Sequence, residues 1–208
     1  MSRHLSALVR GGLVLALACA GGCVLSDVPL SDPAPSEADK ALYGRWRAET
    51  NDGPRTLEFA PPTADTPKAR GLGDERVMVL TSQAHLNGQA WGSTARAFVT
   101  EVNGTTFLNL YEEHPGAYGF LRYRLDGDTL DVWQIDTNAM AEGLRRGELF
   151  HGEVTYDRGS VTEVRIRRGL RDDGPSRDKL RAFLTGKHAA AVFPDVNRVR
   201  YTRVKDKK

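Results

Sequence analysis

Between residues 42 and 204 apolar and polar positions alternate in short runs, the period-two pattern of half-buried strands. Residues 55–60 (RTLEFA) and 76–82 (RVMVLTS) are two such runs. Runs 95–102 and 105–111 flank Asn103-Gly104, and runs 118–125 and 129–135 flank Asp126-Gly127-Asp128. Asn-Gly and Asp-Gly tolerate the positive φ that tight turns demand, so both pairs are expected to be antiparallel hairpins. A third hairpin, of weaker alternation, joins 150–156 to 161–167 through Asp157-Arg158-Gly159, and a last strand covers 199–204. Two segments change to helical period. Residues 138–146 carry Met140 and Leu144 four apart, and 176–185 place Leu180, Phe183 and Leu184 on one face with Ser176 as N-cap after Pro175. Nine strands with short links suit an all-β, antiparallel up-and-down barrel with two short helices, a two-sheet sandwich being the alternative.

The strands carry apolar groups on both faces. Leu121, Tyr123 and Leu125 oppose Phe120, Arg122 and Arg124, while Leu130, Val132 and Gln134 oppose Trp133 and Ile135. That is expected where a helix or a tether covers the outside of the wall. Asn109, between Phe107 and Tyr111, is either a hydrogen-bonded core residue or the lining of a cavity.

The first 23 residues, MSRHLSALVRGGLVLALACAGGC, follow another plan. Arg3, His4 and Arg10 precede the apolar run 13–18, and small residues follow, as in a secretory signal peptide. The apolar run is well short of the roughly 20 residues of a spanning helix. Both cysteines, Cys19 and Cys23, lie here, so no disulfide can form within the domain. Ala20-Gly21-Gly22-Cys23 resembles the lipobox of bacterial lipoproteins; Ala16-Leu17-Ala18-Cys19 fits more loosely. The resemblance implies cleavage before Cys23, a diacylglyceryl thioether on its sulfur and a fatty acyl group such as palmitate on its amine. It further implies anchoring in a bacterial cell envelope. Val24, where an Asp would favour inner-membrane retention, points to the outer membrane facing the periplasm. Residues 24–41 are rich in Pro, Ser and Asp without periodicity and read as a flexible tether. The expected plan is therefore a signal peptide (1–22), lipidated Cys23 and tether (23–41), a barrel domain (42–204) and a basic tail (205–208).

Composition adds two limits. The chain has 208 residues, 40% hydrophobic and 27% charged, enough for one sizeable core. Of 29 basic residues two, Arg3 and Arg10, fall in the leader, which holds none of the 27 acids, so the remainder is formally neutral. That balance excludes a nucleic-acid binder working by phosphate neutralisation.

At Leu42-Tyr43-Gly44-Arg45-Trp46 the chain resembles the Gly-x-Trp that opens the first strand of lipocalins and related calycin barrels. Residues 123–130, around Asp126-Gly127, are similar to a late hairpin of lipocalin-like bacterial lipoproteins of unassigned function. The resemblance implies a barrel whose first-strand Trp plugs one end.

Chemistry is sparse. The chain holds no Gly-x-Ser-x-Gly, no Gly-rich phosphate loop and no His-Glu-x-x-His. His85, His114, His151 and His188 are too far apart in sequence for a local metal set. Asp131 and Asp136 flank an aromatic strand without a partner that the sequence identifies, and Ser82 and Ser93 lack a base. Neither a metal nor a cofactor is expected, and the domain is not expected to be an enzyme. The first expectation is a binder of a small apolar or amphipathic molecule. The second is an accessory lipoprotein contacting envelope proteins or peptidoglycan. A plug at Trp46 leaves the opposite end open, and counting strand directions places links 49–55, 83–94, 112–117 and 136–149 there. Trp91, Tyr111, His114 and Tyr118 become the rim, with Met140 as a flexible lid.

Overall fold

The computed structural model describes residues 23–32, 39–63, 77–86, 89–113, 116–149, 151–168 and 173–205. Strands β2 (Gly44–Thr50), β3 (Gly53–Ala60), β4 (Met78–Leu86), β5 (Gln89–Val102), β6 (Thr105–Glu112), β7 (Ala117–Asp126) and β8 (Thr129–Gln134) pair in sequence as an antiparallel meander. The last strand, β11 (Arg198–Arg203), pairs with both β8 and β2 and closes an eight-stranded barrel. The hairpin dipeptides act as their chemistry predicts: Asn103, Gly104 and Gly127 take φ of 51°, 73° and 55°.

The third expected hairpin, β9 (Gly152–Asp157) with β10 (Ser160–Ile166), forms but stays outside the barrel. Arg198 already pairs with Trp133 and Thr202 with Thr129, so the wall between β8 and β11 has no vacant edge. The hairpin instead joins β1 (Cys23–Ser26), which pairs in parallel with β10 and meets β7 through Ser26 opposite Tyr118.

The beginning of the stretch expected to be a tether is therefore bound to the wall. Val28 and Leu30 are wholly buried, and the Leu30 N–H donates to Asn109 Oδ1 at 2.8 Å. Averaged over 24–41 the composition is polar, yet a few apolar residues near its start meet the apolar outer faces of β6 and β7. Residues 33–38 lie outside the described residues.

Helix α1 (Thr137–Arg145) is capped by Asp136, whose Oδ1 accepts from the Ala139 N–H at 2.9 Å. Helix α2 (Asp173–Thr185) begins three residues before the expected cap, so Ser176 is inside the helix and buried. Pro175 in the first turn removes an N–H that has no helical partner, so the helix can start upstream of it. A single turn, α3 (Ala189–Val192), leads to β11.

Two apolar cores share one wall. Leu108, Leu121 and Val132 of β6, β7 and β8 point into the barrel with Trp46, Phe59 and Tyr201. Phe107, Phe120 and Trp133 of the same strands point outward, under Leu30, Met140, Leu180 and Phe183. The doubly apolar faces of these strands are thus covered by the helices and the N-terminal segment.

Candidate functional site

Strand direction divides the barrel into two ends. Trp46 lies near the end where β2 begins, wholly buried, with its Nε1 donating to Leu42 O at 2.8 Å. The Arg203 guanidinium lies 4.1 Å from the centre of the Trp46 ring. Its Nη1 donates to Tyr43 O at 2.7 Å and its Nη2 to Ala41 O at 2.6 Å. Together they seal this end. Arg203 was not singled out from the sequence, because nothing local in a run of basic residues marks the one that closes the barrel.

The turns after β5 and β7 lie at the sealed end, and the turns after β2, β4 and β6 lie at the other, as the strand count expects. Register shows how the interior changes between them. Gly44, Phe59, Leu80 and Ala95 form one inward row across β2 to β5; Trp46, Leu57, Ser82 and Ser93 form the next; Ala48, Arg55, Ala84 and Trp91 form the third. Along β2, β3 and β4 the inward side chains thus pass from Trp46, Leu57, Phe59 and Leu80 to Ala48, Arg55 and Ala84 toward the open end, whereas β5 passes from Ala95 and Ser93 to Trp91, which is 48% exposed.

Arg55 is 8% exposed and on the same face of β3 as Leu57 and Phe59. Its Nη2 donates to Asp52 Oδ2 at 3.1 Å, in the β2–β3 turn. Its Nε is buried with no hydrogen-bond partner among the described residues. The Nε2 of Gln134, at the open end of β8 on the face of Leu130 and Val132, is likewise buried and unpartnered. Burial pushes the Tyr201 phenol up to about 12, against a smaller opposing pull from the Arg55 charge. At the sealed end burial, with the Asp39 carboxylate that accepts from Tyr123 Oη at 2.7 Å, holds the Tyr123 phenol well above its ordinary range.

Of the five residues expected to mark a ligand site, the four that are described do not converge. Trp91 is at the open end on the inward face. Tyr111 and Tyr118 face each other across β6 and β7 with ring centres 5.1 Å apart, but on the outer face, against Phe98 and Val77. Leu108 and Leu110 point inward, so alternation turns Tyr111 outward. Met140 is wholly buried in the outer core and is no lid, because α1 packs its apolar stripe on the barrel wall. His114 lies outside the described residues.

Asn109 resolves as a structural tie. It is wholly buried on the outer face, accepting from Leu30 N and donating to Thr100 Oγ1 at 2.8 Å. Ser82 and Ser93 hydrogen-bond each other at 2.8 Å. Asp131 is held between Arg200 and Arg124, each at 2.8 Å, and the hydrogen bond from Arg200 is the main cause of its lowered pKa. Arg165 pairs with Asp27, and Arg167 with Glu153. Among the described residues no three His, Cys, Asp or Glu side chains are grouped to hold a metal ion.

A concavity of about 1030 Å³ lies at the sealed rim between the β5–β6 turn and β7, lined by Asp39, Lys40, Thr105, Arg122, Arg124 and Trp133 among others. Arg122 lies 4.2 Å from the centre of the Trp133 ring, and Trp133 Nε1 donates to Asp195 Oδ1 at 3.0 Å. The chain matches no protein-family model, no curated protein and no solved structure.

Proposed function

We propose that this protein is an envelope lipoprotein anchored through Cys23, whose barrel binds a small amphipathic molecule at the end opposite Trp46 without chemical conversion. The observation that supports binding most directly is the gradation along the inward rows. Along β2 and β3 the bulky apolar Trp46, Leu57 and Phe59 give way toward the open end to Ala48 and Arg55, and along β4 Leu80 gives way to Ser82 and Ala84. Small inward residues make room for a guest, and an apolar wall with a few polar groups suits a ligand with both characters. The basic, apolar and small-residue order of the leader and its box before Cys23 support export and lipidation. Several acyl chains would give firm anchoring, since each buried methylene adds about 0.8 kcal/mol. Cys23 opens β1 and pairs with Glu163 of β10, so the anchor would join the hairpin beside the barrel with little slack.

Native mass spectrometry of the protein purified from its own envelope tests both parts. The expected species begins at Cys23, carries the mass of its acyl groups, and holds a small molecule that unfolding releases. A chain without acyl mass refutes the anchor. A lipidated chain that holds only a partner protein refutes the binding.

A further inference from the structure

The outer wall beside the sealed rim gathers guanidinium groups that its own acids only partly balance. Register builds two rungs across β7, β8 and β11: Arg122, Trp133 and Arg198 form one, and Arg124, Asp131 and Arg200 the next. In the second rung both cations hold the buried Asp131 carboxylate, each at 2.8 Å. In the first, Arg122 and Arg198 share only the indole, with guanidinium carbons 4.2 and 5.9 Å from the centre of the Trp133 ring, and form no ion pair among the described residues. Arg122 is half-buried between the rings of Trp133 and Phe193 and makes no hydrogen bond with the described residues. Burial is the main pull on its charged form, downward, opposed by the Asp195 carboxylate and reinforced by Arg124. A donor that gives up water without gaining an acceptor is costly, and more so when it is charged. Arg122 lines the concavity at the rim, where an acceptor could reach it.

That concavity straddles the wall. Thr105, Arg122, Arg124 and Trp133 line it from the outward face, Glu101 and Tyr123 from the inward one. Its two acids do not compete for the outward half. Asp39 already accepts from Tyr123 Oη and from the Ala41 N–H. Glu101 is two strands from β7 in the register Glu101–Thr106–Tyr123, about 10 Å across the sheet and on the opposite face from Arg122. The same register sets Thr105 beside Arg124, and residues two apart on a strand share a face about 7 Å apart, so the Thr105 hydroxyl and both guanidinium groups can meet one guest. These donors approach from two strands and in more than one plane. A tetrahedral phosphoryl group, with three strong acceptor oxygens, suits them better than a planar carboxylate with two. Lys40 adds a further cation at the rim.

We propose that the outward half of this concavity binds a phosphoryl group, held by Arg122 and Arg124 with the Thr105 hydroxyl, beside Trp133. The site lies outside the lumen and does not depend on what the open end of the barrel holds.

Isotope-labelled wild-type protein in dodecyl maltoside micelles, which carry no phosphate, is titrated with inorganic phosphate, acetate or dioctanoyl phosphatidylglycerol and followed by two-dimensional NMR. Inorganic phosphate is expected to shift the indole N–H of Trp133, which Asp195 fixes beside Arg122, and the amides of Thr105, Arg122 and Arg124, while the indoles of Trp46 and Trp91 stay in place. A Trp133 response to inorganic phosphate supports the site with a soluble phosphate as guest; a response to phosphatidylglycerol alone supports it with a lipid headgroup. Acetate is expected to bind at least about tenfold more weakly than phosphate, the factor of one charge-assisted hydrogen bond. Arg122→Gln is expected to weaken the phosphoryl probe by at least about the same factor. Arg47→Gln, on the outward face of β2 and paired with Glu49, is expected to leave it unchanged. A Trp133 indole that neither phosphoryl probe shifts would overturn the proposal and leave Arg122 as a cap on Trp133 alone. Acetate bound as tightly as phosphate, or a folded Arg122→Gln protein of wild-type affinity, would overturn it as well. The wild-type titration decides the matter even if Arg122→Gln does not fold.

Discussion

Tyr201 and Tyr123 are inward-facing phenols at which burial favours the protonated form. Folded Tyr201 holds its proton up to about pH 12, whereas an unfolded tyrosine releases it near about pH 10. The folded chain therefore binds more protons than the unfolded chain across that window, and stability falls as the pH rises through it. The contribution is complete below about pH 10 and lost by about pH 12, about 3 kcal/mol from Tyr201 alone. Tyr123 acts in the same direction. Phenylalanine fills the same space and does not ionise, so Tyr201→Phe should lose distinctly less stability than the wild type between pH 8 and pH 11.5. Urea midpoints at the two pH values measure this, and equal losses in both proteins would refute it. Arg203 shows the opposite use of a buried contact: its charge stays at the surface while its planar head covers Trp46 and takes up two carbonyls.

Helices α1 and α2 meet at Gly143, where a methyl group would overlap the ring of Phe183. Phe183 has nowhere to retreat, being buried and stacked on His188 with ring centres 4.7 Å apart. In an exposed helix Gly→Ala stabilises by roughly 0.5–1 kcal/mol. Here overpacking of about 1–3 kcal/mol should outweigh that gain, so Gly143→Ala lowers the urea midpoint. A raised midpoint would show that the two helices can separate freely. Most elements of this kind were legible in the sequence. Asn103-Gly104 and Asp126-Gly127 located two hairpins because few other dipeptides tolerate the required φ. Leu180, Phe183 and Leu184 identified the buried face of α2. β1 was not legible, because its partners are β10 and β7, far away in sequence, and its own composition is unremarkable for a linker. The faces of β6 and β7 were also ambiguous, since both are apolar, and that ambiguity placed Tyr111 and Tyr118 at a rim they do not line. Arg55 could have been found: it precedes Leu57 and Phe59 by two and four residues, and strand alternation alone puts it on their face.

The whole molecule is a barrel with unequal sides. Along β6, β7 and β8 the wall has apolar packing on both faces, from Leu108, Leu121 and Val132 within and Phe107, Phe120 and Trp133 without. Along β2 and β3 only the inner face is covered: Arg45, Arg47, Glu49 and Glu58 lie on the solvent side. β9 has a partner on one side only, ends the sheet, and exposes nearly all of its residues, with Tyr156 at 56%. Amide hydrogens exchange through local opening, whose free energy rises with the apolar contacts that must be broken. Opening β7 disrupts both cores, opening β3 disrupts one, and fraying β9 disrupts little of either. The expected order of protection is therefore β6, β7 and β8 slowest, β2 and β3 intermediate and β9 fastest, measured residue by residue by native-state hydrogen exchange. Replacing Leu30 with Ala should then speed exchange in β6 and β7 far more than in β3, because Leu30 packs against the outer core and its N–H is held by Asn109 on β6. Uniform protection around the barrel, or a Leu30→Ala effect spread evenly over all eight strands, would show that the outer layer does not stiffen the wall it covers.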